Sequence, residues 1–367
     1  MRILVLSKRQ YMNKDLIDDR FGRFREIPLC LAQKGHNVQG LCLSYSHKTE
    51  GLFHDGPVNW QSINANSLML PGLLRFMIRA YQYARHSDVI WACSDSFYGV
   101  IGCLLGRICN KPVVFDIYDN FGEFYIAGLP LVKQLYHWAI RRSDAITFLS
   151  EPFVRFIRHN FGRSEMVYPI EFAVRDDLFK PFDKRHSRKM LKLPLNGQII
   201  GTAGGLYKIR DADLLIDAFM YLKEKYPDLH LAVAGPRDPD FFIPNEPRVH
   251  DLGILKFEKV PYFWSSLDVA VICYAADNFG EYCFPQKTRE IMACDIPLIA
   301  AGVSSLKELL KNNPNWLYAP GDSRSLARAL EKRFFDSSTA YEKPPTWFDL
   351  ANTLEDIMLK LYKINAA

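Results

Sequence analysis

The sequence predicts an α/β protein made of two doubly wound domains, one after the other. Short apolar runs alternate with helix-length amphipathic segments, and this rhythm stops before residue 198 and then restarts. Such an alternation is typical of a parallel sheet that is covered by helices on both faces. The length of 367 residues is too great for one ordinary core and suits two domains of about 150–200 residues.

The first domain begins with a strand at ILVLS (3–7), which is followed by a helix over 22–35 that Gly35 closes. Further buried strands are predicted at apolar runs over 36–44, 88–94, 112–118 and 145–150, with helical segments between them.

The second domain repeats this order from residue 198. The predicted strands span 198–204, 229–235, 269–274 and 297–302, and the predicted helices span 211–227, 260–268 and 286–295. We interpret 171–197 as a linker, because it contains Pro181, Pro194 and Gly197. A last amphipathic helix is expected over 346–365. We therefore predict one domain from 1–178 together with 346–367 and a second domain from 179–345.

Composition excludes several classes of protein. Hydrophobic residues make up 49% of the chain and aromatic residues 13%, so disorder is not expected. The eight cysteines form no CxxC pair, which favours reduced core thiols over disulfides or zinc sites. The longest apolar stretch, 97–105, is much shorter than the roughly 20 residues of a membrane span. Because the chain starts directly with a strand and has no signal peptide, we expect a cytoplasmic protein or one peripheral to a membrane.

The formal charge of +5 is unevenly distributed. Residues 1–170 contain 20 basic and 14 acidic side chains, whereas the remainder contains 26 basic and 27 acidic ones. Within this half, the helical segment 73–86 interleaves apolar residues with Arg75, Arg79 and Arg85. The pattern suits an anionic membrane surface or a phosphorylated acceptor. An incidental surface excess, with a core-facing helix that is basic on its outer side, is the alternative.

Several nucleotide and hydrolase signatures are missing from the sequence, including a GxGxxG after the first strand, a P-loop, HExxH and GxSxG. Two Asp-x-Asp pairs, Asp211/Asp213 and Asp238/Asp240, could hold a divalent metal. Asp211, however, directly precedes a helix, where a capping carboxylate is typical. We expect neither a bound metal nor a cofactor.

The stretch GTAGGLYKIRDADLLIDAF (201–219) is a candidate diphosphate site. A strand ends in glycines, a loop carries Lys208 and Arg210, and a helix follows. Glycines allow a ligand to approach the backbone, and a helix N-terminus flanked by cations suits an anion. An ordinary strand-to-helix turn with solvated cations is the alternative interpretation.

The stretch FPQKTRE (284–290) has the same character. Pro285 suits the first turn of a helix, where the N–H groups of Gln286 and Lys287 could face a phosphate. Glu290 lies one turn further on, and its carboxylate could accept hydrogen bonds from two sugar hydroxyls. The alternative is an i,i+3 Lys–Glu ion pair on the surface of a helix.

The second half of the chain resembles GT-B glycosyltransferases, most closely the retaining enzymes of glycosyltransferase family 4. Four blocks are similar to that family in order and spacing: 210–219, PDLHLAVAGPRD (227–238), 251–274 and 284–302. The first half resembles it more weakly, at AQKGHNV (32–38), 113–124 and 174–181, and the last helix resembles the one that crosses back to the first domain. The resemblance covers nearly the full chain and implies a GT-B fold whose two domains face a cleft.

The resemblance implies a role for individual residues. Glu290 matches the second glutamate of the family's E-x7-E motif, which holds the donor ribose, and Arg210 takes the place of the family's diphosphate lysine. Tyr282 stands where the first glutamate is expected, with Glu281 one residue away, and Gly205 replaces a phosphate arginine. The donor-binding residues so implied are Gly204, Gly205, Lys208, Arg210, Gly235, Pro236, Leu252, Gly253, Ile254, Glu281, Tyr282, Phe284, Pro285, Gln286, Lys287 and Glu290.

The first domain is expected to supply the acceptor site. In FDIYDNFGEF, Asp116 and Asp119 follow a strand, where ligands meet open α/β sheets. We select Asp119 as acceptor base or cation stabiliser, and a turn-capping role is its alternative. The other acceptor candidates are Arg20, Arg23 and Asp95, and the arginines could equally be solvated helix positions. With Arg210 and Lys287, Asp119 completes the predicted catalytic set.

Together these features predict a metal-independent glycosyltransferase, and the resemblance alone implies that it retains the anomeric configuration. It would move a sugar from a nucleotide diphosphate-sugar to a hydroxyl of a lipid-linked or surface glycan, with no nucleic-acid partner. Two alternatives remain open: a sugar-nucleotide epimerase of the same architecture, and a non-catalytic partner of another transferase. The departures at 282 and 205 are what make the second alternative plausible.

Overall fold

The structure, a computed structural model, describes residues 1–11, 14–65, 70–118, 129–163, 165–339 and 341–366. It divides into two compact units. The first comprises Met1–Phe172 and Trp347–Ala367, and the second comprises Ala173–Thr346. The boundary predicted at residue 178 lies a few residues beyond Phe172.

An eight-stranded sheet forms the centre of the first unit, in the order β10-β9-β8-β7-β1-β4-β6-β5. Its elements are β1 (Arg2–Lys8), β2 (Gln10–Tyr11), β3 (Lys14–Asp15), α1 (Arg23–Gln33), β4 (Asn37–Ser44), β5 (Gly51–Asp55), β6 (Val58–Asn64), α2 (Leu70–His86), β7 (Val89–Ser94), α3 (Ser96–Cys109), β8 (Val113–Ile117), α4 (Pro130–Arg142), β9 (Ala145–Phe148), α5 (Glu151–Phe161) and β10 (Val167–Pro169). The strands pair in parallel except for β5, which pairs antiparallel with β6, while β2 and β3 form a separate hairpin.

The four central strands β1, β7, β8 and β9 are buried along nearly their whole length. Continuous apolar runs are typical of strands that are covered on both faces, and this is the signal by which the sequence predicted them. The edge strand β5 and its neighbour β6 were not predicted. In β5 no residue is fully buried, and in β6 buried and half-buried residues alternate, so neither contains a long apolar run.

The second unit contains a six-stranded, wholly parallel sheet in the order β13-β12-β11-β14-β15-β16. Its elements are α6 (Lys184–Met190), β11 (Gln198–Ala203), α7 (Asp213–Leu222), β12 (Leu229–Ala234), β13 (Val249–Asp251), α8 (Val260–Ser266), β14 (Val269–Ile272), α9 (Asn278–Tyr282), α10 (Gln286–Ala293), β15 (Leu298–Ala301), α11 (Ser304–Leu309), β16 (Leu317–Tyr318) and α12 (Ser323–Phe335). Helix α7 starts two residues later than predicted, because Lys208–Arg210 form a separate 3₁₀ turn.

The interpretation of 171–197 as a linker is wrong, because most of this segment is folded into the second unit. Arg188 on α6 is buried, and its Nη2 donates to Asp268 Oδ2 at 2.6 Å while its Nε donates to the Ser266 carbonyl at 2.9 Å. These charge-assisted bonds hold α6 against the end of α8.

The last helix, α13 (Trp347–Ala366), belongs to the first unit, as predicted, and packs against α1. Glu355 lies 2.6 Å from His36 Nε2 and also pairs with Lys34, which hydrogen-bonds to Asn352 as well. Among the described residues, no helix is both long and apolar enough to cross a membrane.

Candidate functional site

The carboxyl ends of the second sheet's strands meet at one edge, because all six strands are parallel. From β11 the chain moves to β12 on one side, whereas β14 pairs with β11 on its other side and leads on to β15. The connections that leave β11 and β14 therefore run in opposite directions. In open α/β sheets, ligands bind at such a switch point, outside the carboxyl ends of the strands.

Glycines follow three neighbouring strands at this edge. Gly204 has φ +106° and Gly235 has φ +134°, and the Gly235 N–H donates to the Gly253 carbonyl at 2.8 Å. A Cβ on Gly235 would lie 2.0 Å from the Gly204 carbonyl oxygen. Side chains are thus excluded from the end of β12, and a ligand at this edge meets bare backbone.

Helix α10 follows β14 and carries Lys287 to the switch point. Pro285 is the residue that caps this helix, rather than part of its first turn as predicted. The Lys287 ammonium donates to the Ala203 carbonyl at the end of β11, at 3.3 Å. It also lies 3.9 Å from where a Cβ of Gly204 would be. Burial, assisted by the positive charge of Arg210, lowers the pKa of Lys287 to about 8.

Glu290 lies one turn along the same helix and is only 8% exposed. The indole Nε1 of Trp264 on α8 donates to its Oε2 at 3.3 Å. Burial raises the pKa of Glu290 to about 7, against the opposing effects of the Trp264 hydrogen bond and the Lys287 charge. Because Lys287 and Glu290 both turn inward to different elements, the alternative of a surface ion pair does not describe them.

Arg210 and Lys208 lie on the 3₁₀ turn after the glycines but differ in their surroundings. The Arg210 guanidinium lies 5.7 Å from the ring centres of both Tyr207 and Tyr274, within the range of cation–π attraction. Lys208 is exposed and pairs with Asp240 at 2.5 Å. Arg210 is therefore the cation that is oriented beside Lys287, whereas Lys208 is held by an outer carboxylate.

The remaining predicted donor residues surround this edge at different depths. Pro236 and Ile254 are exposed, Phe284 is buried beneath the Arg289 guanidinium, and a Cβ on Gly205 would meet the Tyr207 ring. Partly exposed positions are Leu252, Gly253, Glu281, Tyr282 and Gln286. Glu281 accepts a hydrogen bond from the Ser304 hydroxyl at the start of α11.

Of the two aspartate pairs considered as metal ligands, Asp238/Asp240 has protein partners and Asp211/Asp213 lies at the start of α7. Asp238 accepts from the Lys208 N–H at 2.9 Å, and Asp240 pairs with the Lys208 ammonium. Asp211 has φ +51° and ends the 3₁₀ turn, and Asp213 lies in the first turn of α7. Within the described ranges, no group of three or more His, Cys, Asp or Glu side chains is arranged to hold a metal ion.

In the first unit, Arg23 is not placed to contact an acceptor. Its side chain is buried and donates to the Ile170 carbonyl at 2.8 Å, and it lies 3.1 Å from Asp116 Oδ2. Asp116, also buried, accepts from the Thr147 hydroxyl at 2.9 Å. The prediction for Arg23 is therefore corrected to a structural role, because its guanidinium joins α1 to the sheet interior.

The other acceptor candidates of the first unit differ in their accessibility. Arg20 is exposed and has φ +49°. Asp95 follows β7, accepts from the Phe97 N–H at 3.1 Å and lies 3.9 Å from the Lys8 ammonium. Burial raises the pKa of Asp95. Asp119 lies outside the described residues.

The arrangement in the second unit combines bare backbone, two inward cations and a buried carboxylate at one sheet edge. Such a set can bind an anion beside a diol, because the cations attract charge and the carboxylate accepts hydroxyl hydrogen bonds. Sequence reasoning missed Trp264 and Tyr274, which orient Glu290 and Arg210. Their apolar contexts, VPYFWSSL and VAVICY, carry only the signal of core residues.

Comparison with protein families matches residues 197–334 to the family described as Glycosyl transferases group 1. The matched segment runs from β11 into α12, and therefore includes the glycines, Arg210, Lys287 and Glu290.

One curated relative is the 2-deoxystreptamine glucosyltransferase of Streptomyces kanamyceticus, which is 26% identical over 219 residues. The match covers 55% of this chain and 54% of that protein, so the chain spans about half the length of this relative. Two solved structures match over nearly their full lengths. Sucrose-phosphate synthase from Thermosynechococcus elongatus has a TM-score of 0.75 at 17% identity, and the match covers 99% of this chain and 98% of the synthase chain. Anabaena HepE in complex with UDP has a TM-score of 0.70 at 19% identity, and the match covers 100% of this chain and 98% of the HepE chain.

Proposed function

We propose that the protein transfers a sugar from a nucleotide diphosphate-sugar to an acceptor hydroxyl, because the chain has the GT-B fold and its residues 197–334 match the family described as Glycosyl transferases group 1. The observation that carries the proposal is the inward pair on α10. Lys287 reaches the end of β11 across the switch point, and Glu290 is buried against Trp264. We place the diphosphate beside Lys287 and Arg210, and the donor ribose on Glu290.

In the proposed reaction, the bond between the anomeric carbon and the diphosphate oxygen breaks. The electron pair stays on the diphosphate, where the charges of Lys287 and Arg210 stabilise it without a divalent metal. The acceptor hydroxyl oxygen bonds to the anomeric carbon and gives its proton to a base, for which Asp119 remains our candidate. Retention of configuration is proposed from the resemblance of the sequence to family 4.

The chemistry of the donor is supported by one of the structural neighbours. HepE has been crystallised with UDP and with UDP-glucose, and its match covers the whole of this chain. We therefore propose a uridine nucleotide as the first donor to test. We further propose that the acceptor belongs to a lipid-linked or surface glycan and that the protein works at the cytoplasmic face of a membrane, in line with the basic first half.

The proposal is tested by a thermal-shift panel with UDP, GDP, TDP and ADP. We expect one nucleoside diphosphate to raise the melting temperature, and Glu290→Ala to weaken its binding at least tenfold, since a charged hydrogen-bond partner contributes about 1.5–3 kcal/mol. Glu258→Ala, which changes an exposed carboxylate on another turn of the same unit, serves as the control.

Two results would contradict the proposal. If none of the four nucleotides shifts the melting temperature, the chain is better explained as a non-catalytic partner of another transferase. If the protein converts a UDP-sugar when no acceptor is present, and releases no nucleotide, it is an epimerase. Unchanged affinity in Glu290→Ala would refute our placement of the ribose.

A further inference from the structure

Three helices of the first unit form one continuous outer face. Helix α3 packs against both α2 and α4. The crossovers from β6 to β7, from β7 to β8 and from β8 to β9 all advance in the same direction along the sheet. Because such crossovers are right-handed, their helices lie on the same side of the sheet. We call the solvent side of α2, α3 and α4 the three-helix face.

The three helices that form this face carry charges of only one sign. Helices α2, α3 and α4 include no aspartate or glutamate. Their basic residues are Arg75, Arg79, Arg85, Arg107, Lys133, Arg141 and Arg142. Arg75 is paired with Glu50 at 2.8 Å, which leaves an excess of positive charge on the helices. Soluble surfaces normally mix both signs, so this excess attracts an anionic partner.

The same face exposes large apolar side chains at helical spacing. On α2, Leu70, Leu74, Ile78 and Tyr81 are all exposed, and their spacing places them on one stripe. Leu74 is 62% exposed. The stripe has counterparts on the neighbouring helices, where Leu104 and Ile108 are exposed on α3 and Leu131 and Leu135 on α4. Apolar stripes beside cations are typical of helices that lie in the interface of a bilayer.

A cavity of about 370 Å³ opens between the C-terminal end of α3 and α4. Arg107, Lys111 and Arg142 line it, together with the ring of Trp138. Asp144 also lines it, and its carboxylate accepts from the Val113 N–H at 2.8 Å. None of the three cations forms an ion pair with another described residue, so the cavity has positive charge available for an anion.

We propose that the three-helix face rests on an anionic lipid bilayer and that the cavity beside α3 receives a phosphorylated lipid headgroup. Charge identifies the partner, because the three helices contain cations and no carboxylates of their own, and their apolar stripes reach the acyl boundary when the cations lie at headgroup level. The inference builds on the membrane contact proposed above and locates it, and it uses no residue of the donor site.

The experiment is co-sedimentation of the full chain with vesicles of phosphatidylcholine and with vesicles that also contain phosphatidylglycerol. We expect binding only to the vesicles with phosphatidylglycerol. The double variant Arg107→Ala/Arg142→Ala should bind about 30-fold more weakly, since each cation near an anionic surface contributes about fivefold. Leu74→Glu/Ile78→Glu should abolish binding, because it places carboxylates on the apolar stripe.

Matched controls lie in the second unit, where Phe335 is an exposed apolar residue and Arg324 and Arg328 are exposed cations. Phe335→Glu and Arg324→Ala/Arg328→Ala should bind vesicles like the wild type. All variants should keep the wild-type affinity for UDP, which also shows that they are folded.

Equal binding to both vesicle types would overturn the proposal, as would equal losses in the control variants. A rise in the melting temperature with free glycerol phosphate that Arg107→Ala/Arg142→Ala removes, without vesicle binding by the wild type, would identify a soluble phosphate ligand instead. The three-helix face would instead be an interface between copies of the chain if two results were found together. The wild type would be a dimer that does not bind vesicles, and Leu74→Glu/Ile78→Glu would dissociate that dimer. Failure of these tests with UDP affinity intact refutes this inference and leaves the proposed transferase activity standing.

Discussion

The affinity for a nucleotide sugar should depend on pH in a bell-shaped manner, because the two residues that we place on the donor titrate close to neutrality. Glu290 has a pKa of about 7 and must be ionised to accept the ribose hydrogen bonds. Lys287 has a pKa of about 8 and must be protonated to attract the diphosphate. Binding should therefore strengthen as pH rises through 7 and weaken as it rises above 8.

The size of the acid limb follows from these values. With a pKa of about 7, Glu290 is about one tenth ionised at pH 6 and about nine tenths ionised at pH 8. The loss of ionised Glu290 should weaken affinity about tenfold between pH 8 and pH 6, which corresponds to about 1.4 kcal/mol. Lys287 is only about half protonated at pH 8, so its gain of protons offsets about twofold of this and the net loss is about fivefold. On the alkaline side, the negative charge of the bound diphosphate raises the pKa of Lys287 in the complex. The affinity should therefore fall only as the pH rises above 8.

Calorimetric titration with UDP-glucose from about pH 5.5 to about pH 8.5 measures the acid limb and the start of the alkaline limb, because neither the phosphates nor the uracil of UDP-glucose titrates appreciably in this range. Glu290→Gln should flatten the acid limb and leave the alkaline limb, whereas Lys287→Gln should do the reverse. An acid limb that persists in Glu290→Gln would show that another group controls binding, and the reasoning from burial would then be refuted.

Two further predictions concern the surroundings of this pair. Gly235→Ala should lower the free energy of unfolding in urea by about 3–5 kcal/mol, because the new Cβ meets the Gly204 carbonyl and φ is positive. The control Gly253→Ala, at φ +59° with open space around it, should lower it by about 1–2 kcal/mol. Similar losses in the two variants would contradict the close approach of the two strand ends. Arg210→Gln should raise the pKa of Lys287, because it removes a like charge, and should slow sugar transfer at saturating donor. An unchanged alkaline limb in Arg210→Gln would show that its guanidinium does not act on Lys287.

The sequence predicted the central strands well and the edges poorly, for a physical reason. Strands such as β8 and β12 are covered on both faces and therefore consist of apolar runs. Edge strands such as β5, β10 and β13 are short or partly solvated, so nothing in their composition separates them from loops.

The candidate site was predicted as a set of residues but not as an arrangement. The spacing of Lys287 and Glu290 places them on one side of a helix, and that spacing alone fits a surface pair as well as an inward one. Their true partners, Ala203 and Trp264, lie 84 and 26 residues away in the chain. Burial of Arg23 against Asp116, across 93 residues, could not be foreseen for the same reason.

The most direct test of the central claim is a crystal structure of the protein with UDP bound, in which two distances are measured. The proposed function predicts a ribose hydroxyl about 2.5–3.0 Å from a Glu290 carboxylate oxygen, and a diphosphate oxygen about 2.7–3.2 Å from the Lys287 ammonium. A nucleotide bound elsewhere, or one bound at this edge with its ribose turned away from Glu290, would contradict the assignment.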